Sequence, residues 1–357
     1  MGFEIRIGDA LELTRALPPE SVDCIVTSPP YWGLRDYNVV GQMGLEPTLW
    51  EYLDLMVSLF RELRRVLKKH GTCWVNMGDA YCTNPGNGRG SDERLNLQHG
   101  GSAPHRSGRD RRTLGLKPKD LLGMPWRLAF ALQDDGWWLR QDIVWFKSNP
   151  TPEPARDRCT KSHEYLFILA KSRRYYWDFD AMQEPVSGTA HGRGSGVNPK
   201  ARKMPDNWDT GPGGHGSFHR AGREKGKTPG KNSRMHVDRD VAHATKPKKP
   251  RQNESFSAAV RCVTETRNKR SVWTVATEAF REAHFATFPT ALIEPCILAG
   301  CPPGGLVLDP FAGSGTTGVV CLRNDRNFLG FELNPKYAAM ARERILGDCP
   351  LFNKEAC

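Results

Sequence analysis

The residues best suited to chemistry stand near the start of the chain, in the run Asp23-Cys24-Ile25-Val26-Thr27-Ser28-Pro29-Pro30-Tyr31-Trp32-Gly33. Cys24-Ile25-Val26 predicts a short buried strand, and two consecutive prolines stop any ladder or helix from continuing past it. Each proline lacks an N–H and restricts the residue before it, so carbonyls near Pro29 are left without ladder partners in a stiff turn. Ser28, those carbonyls and the Tyr31 ring then make a small polar mouth with an aromatic wall. Such a mouth suits a flat ring bearing an exocyclic NH2: two acceptors for its two N–H bonds, and a face to stack on. The plainer alternative is a Pro-Pro turn with a packed tyrosine.

A second constellation lies far downstream, at Leu306-Val307-Leu308-Asp309-Pro310-Phe311-Ala312-Gly313-Ser314-Gly315-Thr316-Thr317-Gly318. An apolar strand leads into a glycine turn and then a helix through Val319, Val320 and Leu322. Gly313, Gly315 and Gly318 satisfy G-x-G-x-x-G, which alone is weak support for a nucleotide cofactor. The next strand, Asn327-Phe328-Leu329-Gly330-Phe331, ends in Glu332, where a carboxylate could take both ribose hydroxyls of an adenosine. Asp309 before the turn is unwelcome against a pyrophosphate and welcome near a sulfonium, which points from NAD towards S-adenosylmethionine. Asp9, after the strand-like residues 4–7, could likewise accept from a ligand, although a helix cap or turn is its commoner use. Pro295-Cys296 sits in an apolar, helix-like stretch and reads as packing, not as a nucleophile.

The elements that would position these groups alternate along the chain. Thr48 and Glu51 form a capping box, and Leu49, Tyr52, Leu53, Met56, Phe60, Leu63 and Leu67 mark one helix face, with Gly71 as the expected stop. Thr72–Met77 reads as a buried strand, Leu121–Leu132 as a helix ended by Asp135-Gly136, and Trp138–Phe146 and His163–Ala170 as strands flanking a proline-rich loop. Residues 83–119, rich in Gly, Ser and Arg, predict a mobile functional loop or disorder. Periodicity vanishes again from about Ser187 to Arg251.

The chain has 357 residues and a net charge of +11. Residues 187–251 hold 15 Lys/Arg against 5 Asp/Glu, so nearly all the excess lies in one segment. That segment is either a solvated insertion or one that orders on DNA, its cations meeting phosphates. No apolar run is long enough to span a membrane and no basic-then-apolar leader opens the chain, so a cytoplasmic protein is expected. The 10 cysteines include no Cys-x-x-Cys pair, which removes the usual spacing support for metal or disulfides; no metal is expected.

Thr27-Ser28-Pro29-Pro30-Tyr31-Trp32 and Asp309-Pro310-Phe311-Ala312-Gly313-Ser314-Gly315-Thr316-Thr317 together resemble the motifs of the amino-methylating DNA methyltransferases, in the order of their permuted beta class. The serine form is commonly associated with cytosine-N4 methylation. His284-Phe285-Ala286-Thr287-Phe288-Pro289 is similar to the segment closing over the cofactor's methionine end, and Asp142-Ile143-Val144-Trp145-Phe146-Lys147-Ser148-Asn149-Pro150 to one lining the target-base pocket. The resemblance implies an α/β, Rossmann-like methyltransferase fold: a doubly wound, mostly parallel seven-stranded sheet with an inserted basic target-recognition region. It divides the chain into a catalytic half (1–182), the basic insertion (183–265) and a cofactor half (266–357).

The implied activity is transfer of a methyl group from S-adenosyl-L-methionine to the N4 amine of a flipped-out cytosine, with adenine-N6 transfer as the nearest alternative. Ser28, Pro29, Pro30 and Tyr31 would be catalytic. Asp9, Thr27, His284, Phe285, Thr287, Pro289, Asp309, Phe311, Gly313, Ser314, Gly315, Thr316 and Glu332 would hold the cofactor. Trp32, Arg35, Lys147, Asn149, Arg220, Arg223 and Lys225 would meet double-stranded DNA. The family often forms dimers, so a homodimer is an implied partner, and whether a companion restriction enzyme exists is not written in the sequence. More distant readings are a protein-glutamine methyltransferase, which typically carries Asn before the prolines, an NAD-dependent oxidoreductase sharing the glycine pattern, and a non-enzymatic DNA-binding protein.

Overall fold

The computed structural model describes residues 2–34, 36, 39–82, 117, 119–185, 266–278 and 288–348. The chain divides into two compact units, one formed by Met1–Gln183 with Asn268–Cys357 and the other by Glu184–Arg267. Of the second unit the described residues are strand ends, where Arg267 Nε donates to Glu184 at 2.8 Å. Arg220, Arg223 and Lys225, and most of the loop expected over 83–119, lie outside the described residues.

The first unit is built on one sheet. In chain order its elements are β1 (Phe3–Ile7), α1 (Ala10–Arg15), β2 (Val22–Thr27), α2 (Leu49–Val66), β3 (Leu67–Met77), α3 (Met124–Asp134), β4 (Trp138–Phe146) and β5 (His163–Ala170). After the short strands β6 (Gln183–Pro185) and β7 (Thr266–Asn268), which pair with each other, come β8 (Val272–Thr274), α4 (Thr290–Gly300), β9 (Leu306–Asp309), α5 (Thr316–Arg323), β10 (Asn327–Glu332) and α6 (Pro335–Asp348). The strand order is β1-β10-β9-β2-β3-β5-β4-β8. All neighbours are parallel except those of β5, which runs antiparallel to both β3 and β4.

The α/β, mostly parallel sheet agrees with the expectation, but the described sheet has eight strands and not seven. The additional one, β8, is a three-residue edge strand beside β4, too short to leave a periodic signal. A second correction concerns Gly71, expected to stop α2. The helix ends at Val66, and Gly71 lies inside β3, where an added methyl would meet Leu67 Cδ1 at 2.5 Å and the Asp23 carbonyl at 2.8 Å. Its glycine answers to close packing instead of a cap.

Both faces are covered, as a parallel sheet requires. On one side α1, α2 and α3 bury Leu49, Tyr52, Met56, Phe60, Leu63 and Leu128 against Ile25, Val75 and Leu308. On the other, α4, α5 and α6 bury Ile293, Ile297, Val320, Ala341 and Ile345 against Val26, Trp74 and Val307. Thr48 caps α2 in the predicted box: its hydroxyl accepts from Glu51 N at 3.1 Å, and the Glu51 carboxylate accepts from Thr48 N at 2.9 Å. Such a box stabilises a helix start by about 1 kcal/mol.

Topology settles which loops meet. From β2 the chain moves to β3 on one side; from β9 it moves to β10 on the other. The adjacent pair β2/β9 is therefore the switch point where the loops part and leave a crevice at the strands' carboxyl ends.

Candidate active site

Strands from across the sheet deliver residues to that edge, β3 among them with Asn76. β2 ends into Ser28, β9 into the glycine turn, β10 into Glu332, β1 into Gly8 and Asp9, and β4 into Lys147. Because β5 runs the other way, it is its beginning, at Glu164, that reaches the same edge. A cavity of about 390 Å³ opens there, lined at one end by Ser28, Pro29, Pro30, Tyr31, Asn76 and Glu164 and at the other by Asp9, Phe311, Gly313, Ser314 and Glu332. The two constellations thus face one space.

The serine end is held rigidly. The Pro30 carbonyl accepts from Tyr52 Oη at 2.8 Å, while among the described residues none donates to that of Pro29. Tyr31 Oη donates to Glu164 Oε2 at 2.8 Å and lies 3.4 Å from Asn76 Oδ1. Burial and the Glu164 carboxylate push the Tyr31 hydroxyl well above its ordinary pKa, so it remains a donor. Gly78 allows this approach, since a methyl there would sit 2.8 Å from Tyr31 Cε2. Lys147 pairs with Glu164 Oε1 and lies 4.6 Å from the centre of the Trp145 ring.

The glycine end is braced from beneath and behind. Gly313 (φ +51) and Gly315 (φ +76) take left-handed backbone that glycine adopts without strain. A methyl on Gly313 would meet nothing nearer than the Phe311 carbonyl at 3.9 Å, so the turn presents open backbone to the cavity; one on Gly315 would strike Ala341 Cβ at 2.9 Å. Gly313 N donates to Glu332 Oε2 at 3.0 Å and Asn334 N to Glu332 Oε1 at 2.8 Å. Burial raises the Glu332 carboxyl above its ordinary range despite these donors. From α6, Arg344 Nη1 donates to the hydroxyls of Ser314 and Thr316, both at 2.8 Å.

Asp309 departs from its expected place. It is 1% exposed and absent from the cavity lining: Oδ1 accepts from Thr27 Oγ1 at 2.8 Å and Phe311 N at 3.1 Å, and Oδ2 from Thr317 Oγ1 at 2.6 Å. Burial pushes its pKa to about 6, with the three donors acting against that rise. Asp309 and Thr27 are therefore struts under the turn and not walls of the cavity. Gly315 and Pro289 also stand off the lining, the first packed on α6 and the second as the residue before α4.

Of the residues assigned to the cofactor in the sequence, Asp9, Phe311, Gly313, Ser314, Thr316 and Glu332 line the cavity. Asp9 also caps α1, accepting from Glu12 N at 2.9 Å, which is the commoner use given to it in the sequence. His284, Phe285, Thr287 and Arg35 lie outside the described residues, although Phe288 reaches the lining. Of the expected DNA contacts, Trp32 is a core residue, 5% exposed, its indole N–H donated to the Glu46 carbonyl at 2.9 Å. Asn149 spends its amide on Thr277, accepting from its N–H at 2.8 Å, and Lys147 faces the cavity in its ion pair. Cys296 is fully buried in α4 with its thiol pushed upward, which removes it as a nucleophile.

Sequence reasoning missed Asn76 and Glu164. Asn76 carried a signal, a polar residue near the carboxyl end of an apolar strand, the same rule that selected Ser28. Glu164 carried none, because only the reversed direction of β5 brings its first residues to this edge.

The fold and the paired corners define a class, and comparison with known proteins agrees. The chain superposes on PvuII DNA methyltransferase (cytosine-N4-specific) with a TM-score of 0.55 at 18% identity, covering 99% of this chain and 92% of that one. It superposes on TTHA0409, a putative DNA modification methylase of Thermus thermophilus solved with S-adenosyl-L-methionine, with a TM-score of 0.51 at 22% identity, covering 98% and 97%. At these identities the likeness establishes the methyltransferase fold. A family profile described as DNA methylase, N6_N4 type, matches residues 22–343. Type II methyltransferase M.Cfr9I of Citrobacter freundii is 42% identical, covering 96% of this chain and 87% of the relative. Type II methyltransferase M.SmaI of Serratia marcescens is 41% identical, covering 96% and 90%. The chain belongs to the N6/N4 DNA methylase family.

Proposed function

We propose that this protein is a site-specific DNA methyltransferase that modifies the exocyclic N4 amine of a cytosine flipped out of double-stranded DNA. The observation that carries the reading is the single cavity shared by the Ser28–Tyr31 corner and the Gly313 turn. S-Adenosyl-L-methionine fits the glycine end by the groups gathered there: open backbone at Gly313, the apolar Phe311 side chain, and the Asp9 and Glu332 carboxylates as acceptors. Among the described residues the lining carries the carboxylates Asp9, Glu164, Glu278 and Glu332 against one ammonium, Lys147, a balance that favours a cationic ligand and disfavours a pyrophosphate. When bound, the cofactor supplies an electrophilic methyl group on a sulfonium centre.

The chain's own residues position the amine. Ser28 Oγ and the Pro29 carbonyl accept its two N–H bonds, which aims the nitrogen lone pair along the cavity and accommodates positive charge as it develops. The Tyr31 ring, fixed by Glu164 and Gly78, offers a stacking face for the extruded base. Ser28 acts as a hydrogen-bond partner throughout. The serine form of the motif favours cytosine; adenine-N6 transfer uses the same groups and is the alternative outcome. Incubation with methyl-labelled cofactor and mixed DNA, followed by nucleoside mass spectrometry, decides between them. Unlabelled DNA would sink both. A cytoplasmic enzyme, a dimer and a companion restriction enzyme complete the proposal, and among the described residues no helix is long and apolar enough to cross a membrane.

A further inference from the structure

We infer that the end of the sheet opposite the cavity carries a second DNA-binding surface, where Lys69, Arg140, Arg173 and Arg174 meet the phosphates of a duplex other than the one being modified. The inference goes beyond the proposed activity and rests on it only for DNA being the substrate. β3 begins at Leu67 and β4 at Trp138, while the reversed β5 ends at Ala170, so the chain around these three points shares the amino-terminal edge of the parallel strands. Along β5 this edge lies about 20 Å from Glu164 at the cavity, at about 3.4 Å per residue. The duplex whose base enters the cavity is met by the other edge.

The segment after β5 folds back onto the start of β3. Tyr176 N donates to the His70 carbonyl at 2.7 Å, and the Ser172 hydroxyl stands 2.8 Å from the Lys69 carbonyl and 2.6 Å from that of Arg174. Arg140 is the extra residue of a bulge in β4, between Leu139 opposite Leu169 and Gln141 opposite Ile168, and a bulge re-aims its side chain. Its guanidinium lies 5.6 Å from the centre of the Tyr175 ring, with Nε donating to Tyr175 Oη at 3.1 Å. One frame thus presents all four cations. Each is exposed, and among the described residues none of the four has a carboxylate partner. The carboxylates at this edge are spent on their neighbours: Asp23 pairs with Lys68 at 2.8 Å and Glu20 with Lys171 at 3.2 Å.

Like charges gathered without counter-ions repel one another, in a chain whose charges nearly cancel outside residues 187–251. A polyanion relieves that repulsion. The basic insertion carries the cluster's own sign and does not supply one. A DNA duplex does: Lys and Arg hold its phosphates without reading a base, releasing counter-ions as they bind. With one duplex at the cavity and another at the far edge, the protein passes between segments of long DNA without releasing both.

In the test, the full chain is saturated with S-adenosylhomocysteine and a short dye-labelled duplex bearing the modified site found by sequencing. A second duplex lacking that site and carrying another dye is titrated in, and sedimentation velocity at both dye wavelengths gives the mass and composition of each complex. Wild type is expected to form complexes of one chain with two duplexes. Lys69→Gln/Arg173→Gln/Arg174→Gln is expected to weaken the second duplex about tenfold or more at about 0.1 M salt, and to flatten its plot of log Kd against log salt by about 2 to 3 in slope. Arg140 is left in place because it also holds Tyr175. The first duplex's Kd and the single-turnover methylation rate on a short duplex should stay within about twofold. The inference is overturned if no second duplex binds, if one is found only in complexes of two chains, or if the variant binds it as wild type does. Equal weakening of both duplexes overturns it too, as does retention of a polyglutamate peptide in place of DNA, which would assign the surface to an acidic protein. Methylation is read separately: none on any duplex defeats the proposed activity, whereas intact methylation without a second duplex defeats only this inference.

Discussion

Thr27 and Asp309 stand 282 residues apart in the chain and share a buried hydrogen bond of 2.8 Å. One closes the strand that leads into the proline corner, the other the strand that leads into the glycine turn, and β2 and β9 are neighbours in the sheet. The bond fastens the two corners at their common root. Asp309 also ties down Phe311 N and Thr317, so one carboxylate sets the spacing of both halves of the site.

Removing this tie should loosen the site. Thr27→Val leaves a buried carboxylate short of one donor and is expected to cost about 1–3 kcal/mol, read as a lower urea midpoint at unchanged m-value. Asp309→Ala is expected to weaken cofactor binding, measured by titration calorimetry, because the turn loses three anchors. Wild-type affinity in that variant would contradict the strut.

The same carboxyl makes stability depend on pH. Its folded pKa of about 6 lies above the ordinary 3.8, so the folded protein holds this proton more tightly than the unfolded chain. Its contribution is fully present below about pH 4 and is lost as pH rises through about 6, amounting to about 3 kcal/mol. Denaturation of wild type and Asp309→Asn between about pH 4 and pH 7.5 isolates it. The wild-type advantage should shrink as pH rises, and a constant difference would count against the assignment.

Ser28→Ala is expected to lower the single-turnover methylation rate on the order of 10²-fold while cofactor affinity persists, since the hydroxyl lies at the opposite end of the cavity from Glu332. Equal turnover would remove Ser28 from the mechanism.

Gly315→Ala combines a φ of +76° with a contact of 2.9 Å to Ala341 Cβ. A destabilisation of about 1–3 kcal/mol is expected, visible as a lower Tm, with cofactor binding weakened in parallel.

Cys296→Ala should retain activity, at a stability cost of about 1 kcal/mol for the lost packing in α4. Loss of methylation without loss of fold would revive a cysteine nucleophile.

The motifs themselves were legible because each is local: a strand, a turn residue with restricted backbone, and a polar group at the turn write themselves into consecutive positions. The Ser28-Pro29-Pro30-Tyr31 corner, the Gly313 turn, the Thr48–Glu51 capping box and the strands β4 and β5 were all readable for that reason. Gly71 misled because a glycine demanded by close packing looks the same in sequence as one that caps a helix. Asp309 misled in a subtler way, since its charge suggested a ligand while its neighbours in space, Thr27 and Thr317, consumed it.

What the sequence by itself determined is the chemistry available: acceptors at a rigid corner, open backbone at a glycine bend, and the alternation of strands and helices that carries them. Tertiary structure alone decided which of those groups share a cavity and which are spent holding it up. Strand order placed β2 beside β9, and the reversed β5 brought Glu164 under Tyr31 and against Lys147. The physical reason is that backbone propensity acts over a few residues, whereas side-chain partners are chosen by sheet order and burial across the whole chain.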